Sequence, residues 1–467
     1  MSLRTKLAAG FMLGIVALGA VTPPVEATGI QALDHLVTTR YIPGKAGAAV
    51  LVKRGRQVLL CKAYGQANLE LNMRMRADYV FRIGSVTKTF GAVVILQLVD
   101  EGKLALDSTI STYLKDAPTS WANVTLAHLL SHTSGIPSYN SGPQGGYAVL
   151  RSKRRSLDEV IASFKDLPLE FEPGSAFTYS NSGFLLLEKI IEVTTGRGFF
   201  ENLATRITTP LGMSFTGGGD ADALVPGLVT GYTDSGHPTF PAPVDISFMA
   251  GGMVSTVGDL AKFTEALHEG SLLRPATYRR MTTRYRTTDG HETEYGLGLW
   301  IRKSQGHTLY GHGGDVVGFS AEVEADPMAH TLVVILQNED KFGAHHAVNV
   351  EYLSRRLLAL AAGKPIPEPK AVNLTAEQLA QVVGSYASSQ GRRVISLEQG
   401  ELISRFNGSR PYRLKATSPT TFFDPQSELR LRFVIEHGRA VACQEFEDQG
   451  DEGPLAHRLA GPVLREN

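Results

Sequence analysis

Ser85 and Lys88 are the two residues of this chain whose types and spacing most directly suggest chemistry. They stand three apart, as Ser85-Val86-Thr87-Lys88, immediately before a long apolar run. On a helix such side chains share one face, with Cβ atoms about 5–6 Å apart, so the lysine can reach the serine oxygen and help to remove its proton. Free N–H groups at a helix N-terminus also stabilise a developing negative charge. The pair therefore predicts an acylatable serine.

The element that must position this pair is the run 90–99, which is apolar on nearly every side and predicts a buried helix. The segment 100–103 follows it with a polar end and a glycine cap. The alternative is that Ser85 only caps the helix and Lys88 is solvated in its first turn. Roughly one Ser-x-x-Lys is expected by chance in a chain of this length, so other residues must decide.

Tyr179 and Asn181 form a second candidate group, in the only Tyr-x-Asn of the chain. A tyrosine can shuttle a proton when a nearby lysine ammonium favours the phenolate. The asparagine amide offers a donor and an acceptor to a substrate amide. Alone, the tripeptide would more often be a simple turn.

A third candidate is Gly311-His312-Gly313-Gly314, which enters a predicted strand. Glycines there allow a substrate to lie close against the backbone edge. Alone, His312 would more often be a structural histidine. The segment His268-Glu269-Gly270 also fits His-x-Gly, but it ends a helical run and lacks the strand context.

Composition excludes several classes of function. The 467 residues include 46 basic and 46 acidic side chains, and this neutrality argues against nucleic acid or an acidic membrane as the main partner. The thirteen histidines, His345 and His346 among them, form no metal-ligand pattern, and there is no Cys-x-x-Cys. We therefore predict neither a metal nor a cofactor. Oligomeric state stays open.

Residues 1–27 have the features of a secretory signal peptide: a basic start, an apolar stretch from Leu7 to Val21 and small residues at a cleavage site. The stretch is shorter than the ~20 residues that a membrane span needs, so we expect cleavage rather than stable membrane insertion. The mature protein would then be periplasmic or secreted. Cys61 and Cys443 lie in different predicted domains, and a disulfide between them is not expected.

The order of predicted elements defines the organisation. A hairpin at 48–64, a mostly helical middle and strands after Thr308 predict an α/β (α+β) domain over 28–363, with an antiparallel sheet flanked by helices and an all-helical subdomain. A proline-rich segment at 364–372 predicts a stiff linker. The short strand-like runs in 373–467 predict a small antiparallel β-barrel.

In this order the three candidate groups resemble the serine β-lactamase and penicillin-binding-protein superfamily, closest to the class C β-lactamase-related branch with its esterases and D-aminopeptidases. The resemblance spans roughly residues 30–362 and rests on the following segments: Phe81-Arg82-Ile83-Gly84-Ser85, Leu129-Leu130-Ser131-His132-Thr133-Ser134-Gly135, Pro173-Gly174, Tyr179-Ser180-Asn181, Gly251-Gly252-Met253, Tyr295-Gly296-Leu297-Gly298 and Gly311-His312-Gly313-Gly314. The C-terminal segment resembles the lipocalin-like β domain of some members.

The resemblance implies a β-lactamase/transpeptidase-like fold and a role for each residue. Ser85 would be the acylated nucleophile, and Lys88 and Tyr179 would manage its proton and then activate water. Asn181 would orient the substrate. The backbone N–H groups of Ser85 and Asp315 would form the oxyanion hole, in which one donor is typically worth about 10²–10³ in rate.

The chain departs from the superfamily at the third motif. Penicillin-recognising members usually have Lys-Thr-Gly or Lys-Ser-Gly where this chain has His312-Gly313-Gly314, and the lysine attracts a substrate carboxylate. We therefore expect a small-molecule ester, amide or D-amino-acid peptide as substrate. A true β-lactamase or D-Ala-D-Ala carboxypeptidase is the alternative, and a catalytically inactive binding protein on the same fold is a second.

Overall fold

The structure is a computed structural model. It describes residues 27–140, 153–219, 224–233, 236–239, 247–341, 348–388, 391–407, 411–425, 427, 429–446 and 453–460. The predicted signal peptide, apart from its last residue, and the pair His345-His346 lie outside these ranges. Within them, no helix is both long and apolar enough to cross a membrane.

The centre of the molecule is an antiparallel sheet of six strands in the order β2-β1-β11-β10-β9-β8. The strands are β1 Ala48–Arg54, β2 Gln57–Tyr64, β8 Trp300–Ser304, β9 His307–Val316, β10 Phe319–Asp326 and β11 Thr331–Gln337. The first two form a hairpin whose turn places Gly55 at φ 53°. The last four follow one another as a meander, and β1 pairs with β11 from Ala48↔Gln337 to Arg54↔Thr331.

Alternating apolar residues let the central strands bury both faces. On one face Val50, Val52 and Ile335 pack against α1 Ala27–Thr38 and α10 Val350–Ala361. On the other face Leu51 and its neighbours join the larger core of the helical region. Because side chains alternate with a period of two along a strand, this double burial fixes the register of the sheet.

Helices are the main regular elements of the chain between β2 and β8. Its helices are α2 Thr87–Asp100, α3 Leu126–Leu130, α4 Leu157–Ala162, α5 Asn181–Thr195, α6 Phe199–Leu203, α7 Phe248–Gly251, α8 Val257–His268 and α9 Pro275–Met281. Its short strands are β3 Gln66–Asn68, β4 Met73–Arg74, β5 Phe81–Arg82, β6 Gly217–Gly218 and β7 Met253–Ser255. The apolar run after Ser85 forms the buried helix α2, most of whose residues are inaccessible to solvent.

The C-terminal region is a closed antiparallel barrel of eight strands. It consists of α11 Ala376–Val382, β12 Gly384–Ser388, β13 Gly391–Glu398, β14 Glu401–Phe406, β15 Tyr412–Ser418, β16 Thr421–Phe423, β17 Arg430–Glu436, β18 Arg439–Phe446 and β19 Ala456–Arg458. The barrel closes where β19 pairs with β12. Its core, with Tyr386, Phe422 and Phe433, is separate from the cores of the preceding region.

The predicted fold class is confirmed: an antiparallel sheet with helices, followed by a small β-barrel. The first of the strands predicted after Thr308 is β9, which begins at His307 and continues to Val316. The strand β8 was not predicted because it has no clear alternation. Both cysteines are free, Cys61 exposed and Cys443 buried in the barrel. The boundaries of the predicted domains stay predictions.

Candidate active site

Ser85 lies in a short 3₁₀ turn, Gly84–Val86, immediately before α2. Gly84 begins the turn at φ 50°, and a Cβ there would lie 2.8 Å from the backbone nitrogen of Asp315. A glycine is required on both counts. The Thr87 hydroxyl closes the turn by donating to the carbonyl of Gly84 over 2.7 Å. The turn thus places Ser85 close to the strand β9.

Lys88 is completely buried and directs its Nζ at three oxygens. These are Ser85 Oγ at 3.0 Å, Asn181 Oδ1 at 2.8 Å and the carbonyl of Ala250 at 2.5 Å. The spacing in the sequence therefore produces the predicted contact, and the alternative of a solvated first-turn lysine is wrong.

The charge state of Lys88 follows from its burial. Desolvation lowers the pKa of Lys88 well below its ordinary value, and no carboxylate of the described residues lies within ion-pair distance to counter this. A neutral amine keeps two N–H donors and one lone pair. If Asn181 Oδ1 and the Ala250 carbonyl accept the two hydrogens, the lone pair faces the Ser85 hydroxyl. This geometry is that of a general base.

The Tyr179 hydroxyl is hydrogen-bonded to Ser85, and its ring centroid lies 4.9 Å from Lys88 Nζ. Burial raises the pKa of Tyr179; the hydrogen bond with Ser85 lowers it, and the carboxylate of Asp315 raises it further. The phenol therefore stays protonated in the resting site. Lys88 does not stabilise a phenolate at Tyr179, because burial leaves the lysine amine uncharged.

Asn181 is the first residue of α5 and faces Lys88 through its Oδ1. Its backbone N–H donates to the Ser138 hydroxyl over 2.9 Å. The side-chain oxygen of Asn181 is thus already hydrogen-bonded to Lys88. Among the described residues no acceptor takes its Nδ2 hydrogens, which are therefore available to a substrate carbonyl.

His132 is a site residue that sequence analysis included in a motif without assigning it a role. Its ring is buried, and its Nδ1 accepts from the backbone N–H of Ser180 over 3.1 Å. Its carbonyl accepts from Thr178 N over 3.0 Å, and its ring centroid lies 4.1 Å from that of Tyr179. Burial lowers the pKa of His132 well below its ordinary range. A neutral His132 thus holds the segment that carries Tyr179.

His312 points into the protein rather than into solvent. Its Nε2 is 2.7 Å from the Tyr295 hydroxyl and its Nδ1 is 2.6 Å from the carbonyl of Gly313. A carbonyl only accepts, so Nδ1 carries the proton and Nε2 accepts from Tyr295. Burial lowers the pKa of His312 to about 3. The ring is therefore neutral, with both nitrogens occupied.

Gly314 allows β9 to approach Ser85. A Cβ on Gly314 would lie 1.9 Å from the carbonyl oxygen of Ile83 and 3.0 Å from the nitrogen of Ser85. The partner strand β8 ends opposite Gly311, so the described part of the chain offers no β8 partner for β9 from His312 onward. This open edge beside Ser85 is where a substrate backbone can lie.

Three ionisable side chains lie close to this strand edge. Glu322 on β10 is buried directly behind Gly313, where burial raises its pKa well above its ordinary value. Asp315 accepts from the Ser320 hydroxyl at 3.0 Å and pairs with Lys341 at 2.7 Å. The Lys341 ammonium is therefore already matched by a carboxylate. Within the described ranges no group of three His, Cys, Asp or Glu side chains could hold a metal ion.

The structure brings together all the predicted site residues: Ser85, Lys88, Tyr179, Asn181, His312, Gly313, Gly314 and Asp315. A serine hydroxyl between a buried amine and a phenol, beside an open strand edge, can attack a carbonyl and form an acyl-enzyme. The class is thus a serine hydrolase of the β-lactamase-like fold, in which the individual residue roles stay predictions.

The family follows from comparison with known proteins. The family described as Beta-lactamase matches residues 33–355, which is more than half of the chain. The chain belongs to this family.

Relatives include enzymes that act on D-amino-acid derivatives. The D-aminopeptidase of Gluconobacter oxydans (strain 621H) is 28% identical over 346 residues, 72% of this chain but only 62% of that protein. The D-amino acid amidase of Ochrobactrum anthropi SV3, complexed with D-phenylalanine, has a TM-score of 0.61 at 26% identity and covers 72% of this chain and 98% of that one. The octameric penicillin-binding protein homologue of Pyrococcus abyssi has a TM-score of 0.64 at 25% identity, covering 91% and 97%.

Proposed function

We propose that this protein is a secreted hydrolase that cleaves an ester bond or the amide of a D-amino acid through a Ser85 acyl-enzyme. Two similar proteins, a D-aminopeptidase and a D-amino acid amidase, support the amide class. Export to the periplasm or the exterior rests on the signal-like segment 1–27. No feature of the chain favours a nucleic-acid partner.

The proposed reaction begins when the Lys88 lone pair takes the proton of Ser85. The Ser85 oxygen attacks the substrate carbonyl, and the N–H groups of Ser85 and Asp315 stabilise the oxyanion. The proton passes from Lys88 to the leaving group by way of Tyr179, whose phenol is already hydrogen-bonded to Ser85. Water, activated by the same pair, then hydrolyses the acyl-enzyme.

The observation that carries the substrate class is the state of His312. It is neutral, buried and tied to Tyr295, so it places no positive charge on the strand edge. The ammonium of Lys341 is already paired with Asp315. A substrate whose recognition depends on a free carboxylate next to the scissile bond therefore finds little attraction at this edge.

The test compares wild type and Ser85→Ala on a short-chain p-nitrophenyl ester, a D-alanyl anilide, its L-alanyl counterpart and a cephalosporin. We expect wild type to cleave the ester or the D-anilide, Ser85→Ala to be inactive on both, and the cephalosporin to survive. The L-anilide is the matched control for stereochemistry. Fastest turnover of the cephalosporin would instead establish a β-lactamase, the candidate favoured by the family's name.

A further inference from the structure

The Ala250 carbonyl, which accepts from Lys88 at 2.5 Å, belongs to a short turn that needs an anchor. The turn is α7, only four residues long, and it begins with Phe248 at φ 39°. A side chain other than glycine rarely adopts this backbone conformation. Lys88 alone does not determine where such a turn lies, since an N–H of its amine can donate to any oxygen within reach.

Glu188 supplies the anchor from α5. It is 7% exposed, and its Oε2 accepts from the backbone N–H of Met249, the residue before Ala250, over 2.6 Å. The first residue of the same helix is Asn181, which provides the other oxygen that orients Lys88. The helix α5 thus positions both oxygens that accept from Lys88. It carries Asn181 itself, and it holds the Ala250 carbonyl through Glu188 and the turn α7.

We propose that Glu188 is a positioning residue for Lys88, which acts by holding the Ala250 carbonyl so that the amine lone pair faces Ser85. The proposal rests on the proposed function in assuming that Lys88 is the base. Glu188 lies inside an apolar helical run with no recognisable motif around it, so the sequence alone indicates no role for this residue.

The surroundings of Glu188 indicate that it works as a hydrogen-bond acceptor and not as a charge. Burial raises its pKa to about 8, against a lowering by the Met249 hydrogen bond and with a further rise from Glu192. Lys189 on the same helix pairs with Asp158 and Glu192 at the surface. The carboxyl is therefore uncharged near neutral pH, where it does not compete for the proton of Lys88.

The test uses two variants of nearly the same size. Glu188→Gln keeps an oxygen that can accept from Met249, whereas Glu188→Leu removes it. Glu192→Gln, one turn further along α5 at a side chain that is 44% exposed, is the control. We expect Glu188→Leu to lower kcat by about tenfold with KM within about twofold, the loss of one oriented hydrogen bond. We also expect the acid limb of its kcat/KM profile to move to lower pH. The protonated form of Lys88 loses a hydrogen-bond acceptor, so the pKa of Lys88 falls further. Glu188→Gln and Glu192→Gln retain wild-type kcat within about twofold.

Three outcomes overturn the proposal: full activity in Glu188→Leu, equal losses in the Gln and Leu variants, or a proportional loss of active sites titrated by a fluorophosphonate, which indicates misfolding only. A crystal structure of Glu188→Leu provides a readout that needs no turnover. We expect the Ala250 carbonyl to have moved away from Lys88 Nζ, and an unmoved carbonyl also refutes the proposal. If wild type cleaves none of the substrates, the proposed function fails while this structural test still decides about Glu188.

Discussion

The proposed role of Lys88 as a base depends on surroundings that, among the described residues, contribute oxygens but no carboxylate. Three oxygens surround Nζ, while burial lowers the pKa of Lys88. A carboxylate in place of one of these oxygens would keep the amine protonated and unable to take a proton from Ser85. Two of these three oxygens could not be predicted fully from the sequence. Asn181 was predicted to face the substrate and not Lys88. The Ala250 carbonyl is a backbone group, and no residue type indicates its position.

Tyr295 stabilises the native state through His312. Replacement by phenylalanine leaves the buried Nε2 of His312 without its donor, so we expect Tyr295→Phe to lower the free energy of unfolding by about 1–3 kcal/mol. Urea denaturation measures this. Tyr310→Phe, which removes the hydroxyl of a half-buried tyrosine on the same strand as His312, is the control and should stay within about 0.5 kcal/mol. Equal effects in the two variants would contradict the assigned hydrogen bond.

Glu188 also makes a prediction about pH and stability. Its pKa is about 8 in the folded protein, against an ordinary value of 4.5. Between these values the native state binds a proton that the unfolded state has lost, so stability falls as pH rises, by up to about 1.4 kcal/mol per pH unit. The difference in unfolding free energy between wild type and Glu188→Gln, measured by urea denaturation from pH 5 to 8, should show this fall. A constant difference would mean that Glu188 titrates normally.

At the scale of elements, β9 and the turn before α2 define the site by their close contact. The sequence predicted both elements, because a helical run after Ser85 and a glycine cluster before a strand have recognisable patterns. It did not predict that His132 holds the Tyr179 segment or that Tyr295 caps His312, because such contacts join residues far apart in the chain. Only the folded molecule specifies them.

The adjacent glycines Gly313 and Gly314 of β9 should respond differently to substitution. In Gly314→Ala the new Cβ would lie 1.9 Å from the backbone oxygen of Ile83, so the strand or the serine turn must shift. We expect kcat/KM to fall by at least about 10², as when an oxyanion donor is lost. In Gly313→Ala the nearest atom is Glu322 Oε2 at 2.7 Å, the end of a side chain that can rotate, and the loss should stay under about tenfold. The reverse order would refute the proposed approach of β9 to Ser85.

At the scale of the whole molecule, the barrel and the sheet-and-helix region each have their own hydrophobic core. The proline-rich segment 364–372, which the sequence predicts to be a stiff linker, lies between them in the chain. Separate cores joined by a short linker are typical of independent folding units. Alternating patterns were sufficient to predict a small barrel and most of its strands, but not which strands pair to close it, β12 and β19.

This separation predicts two transitions in differential scanning calorimetry. Phe422→Ala, in the barrel core, should lower only the transition of the barrel, by an amount equivalent to about 3–5 kcal/mol, and leave hydrolysis unchanged. Leu96→Ala, in the core around α2, should lower only the other transition. A single transition that both variants shift equally would show one cooperative unit.

The pairing of β1 with β11 has a consequence for how fast this chain reaches its native state. The two strands are neighbours in space but about 280 residues apart in sequence, and the whole helical region lies between them. The loop must close before the central strand gains its second partner, so folding should be slow and limited by this search rather than by local structure. Until then the β1–β2 hairpin has an open edge made of Ala48–Arg54, mostly apolar, which neighbouring chains can pair with. Refolding yield should therefore fall as protein concentration rises.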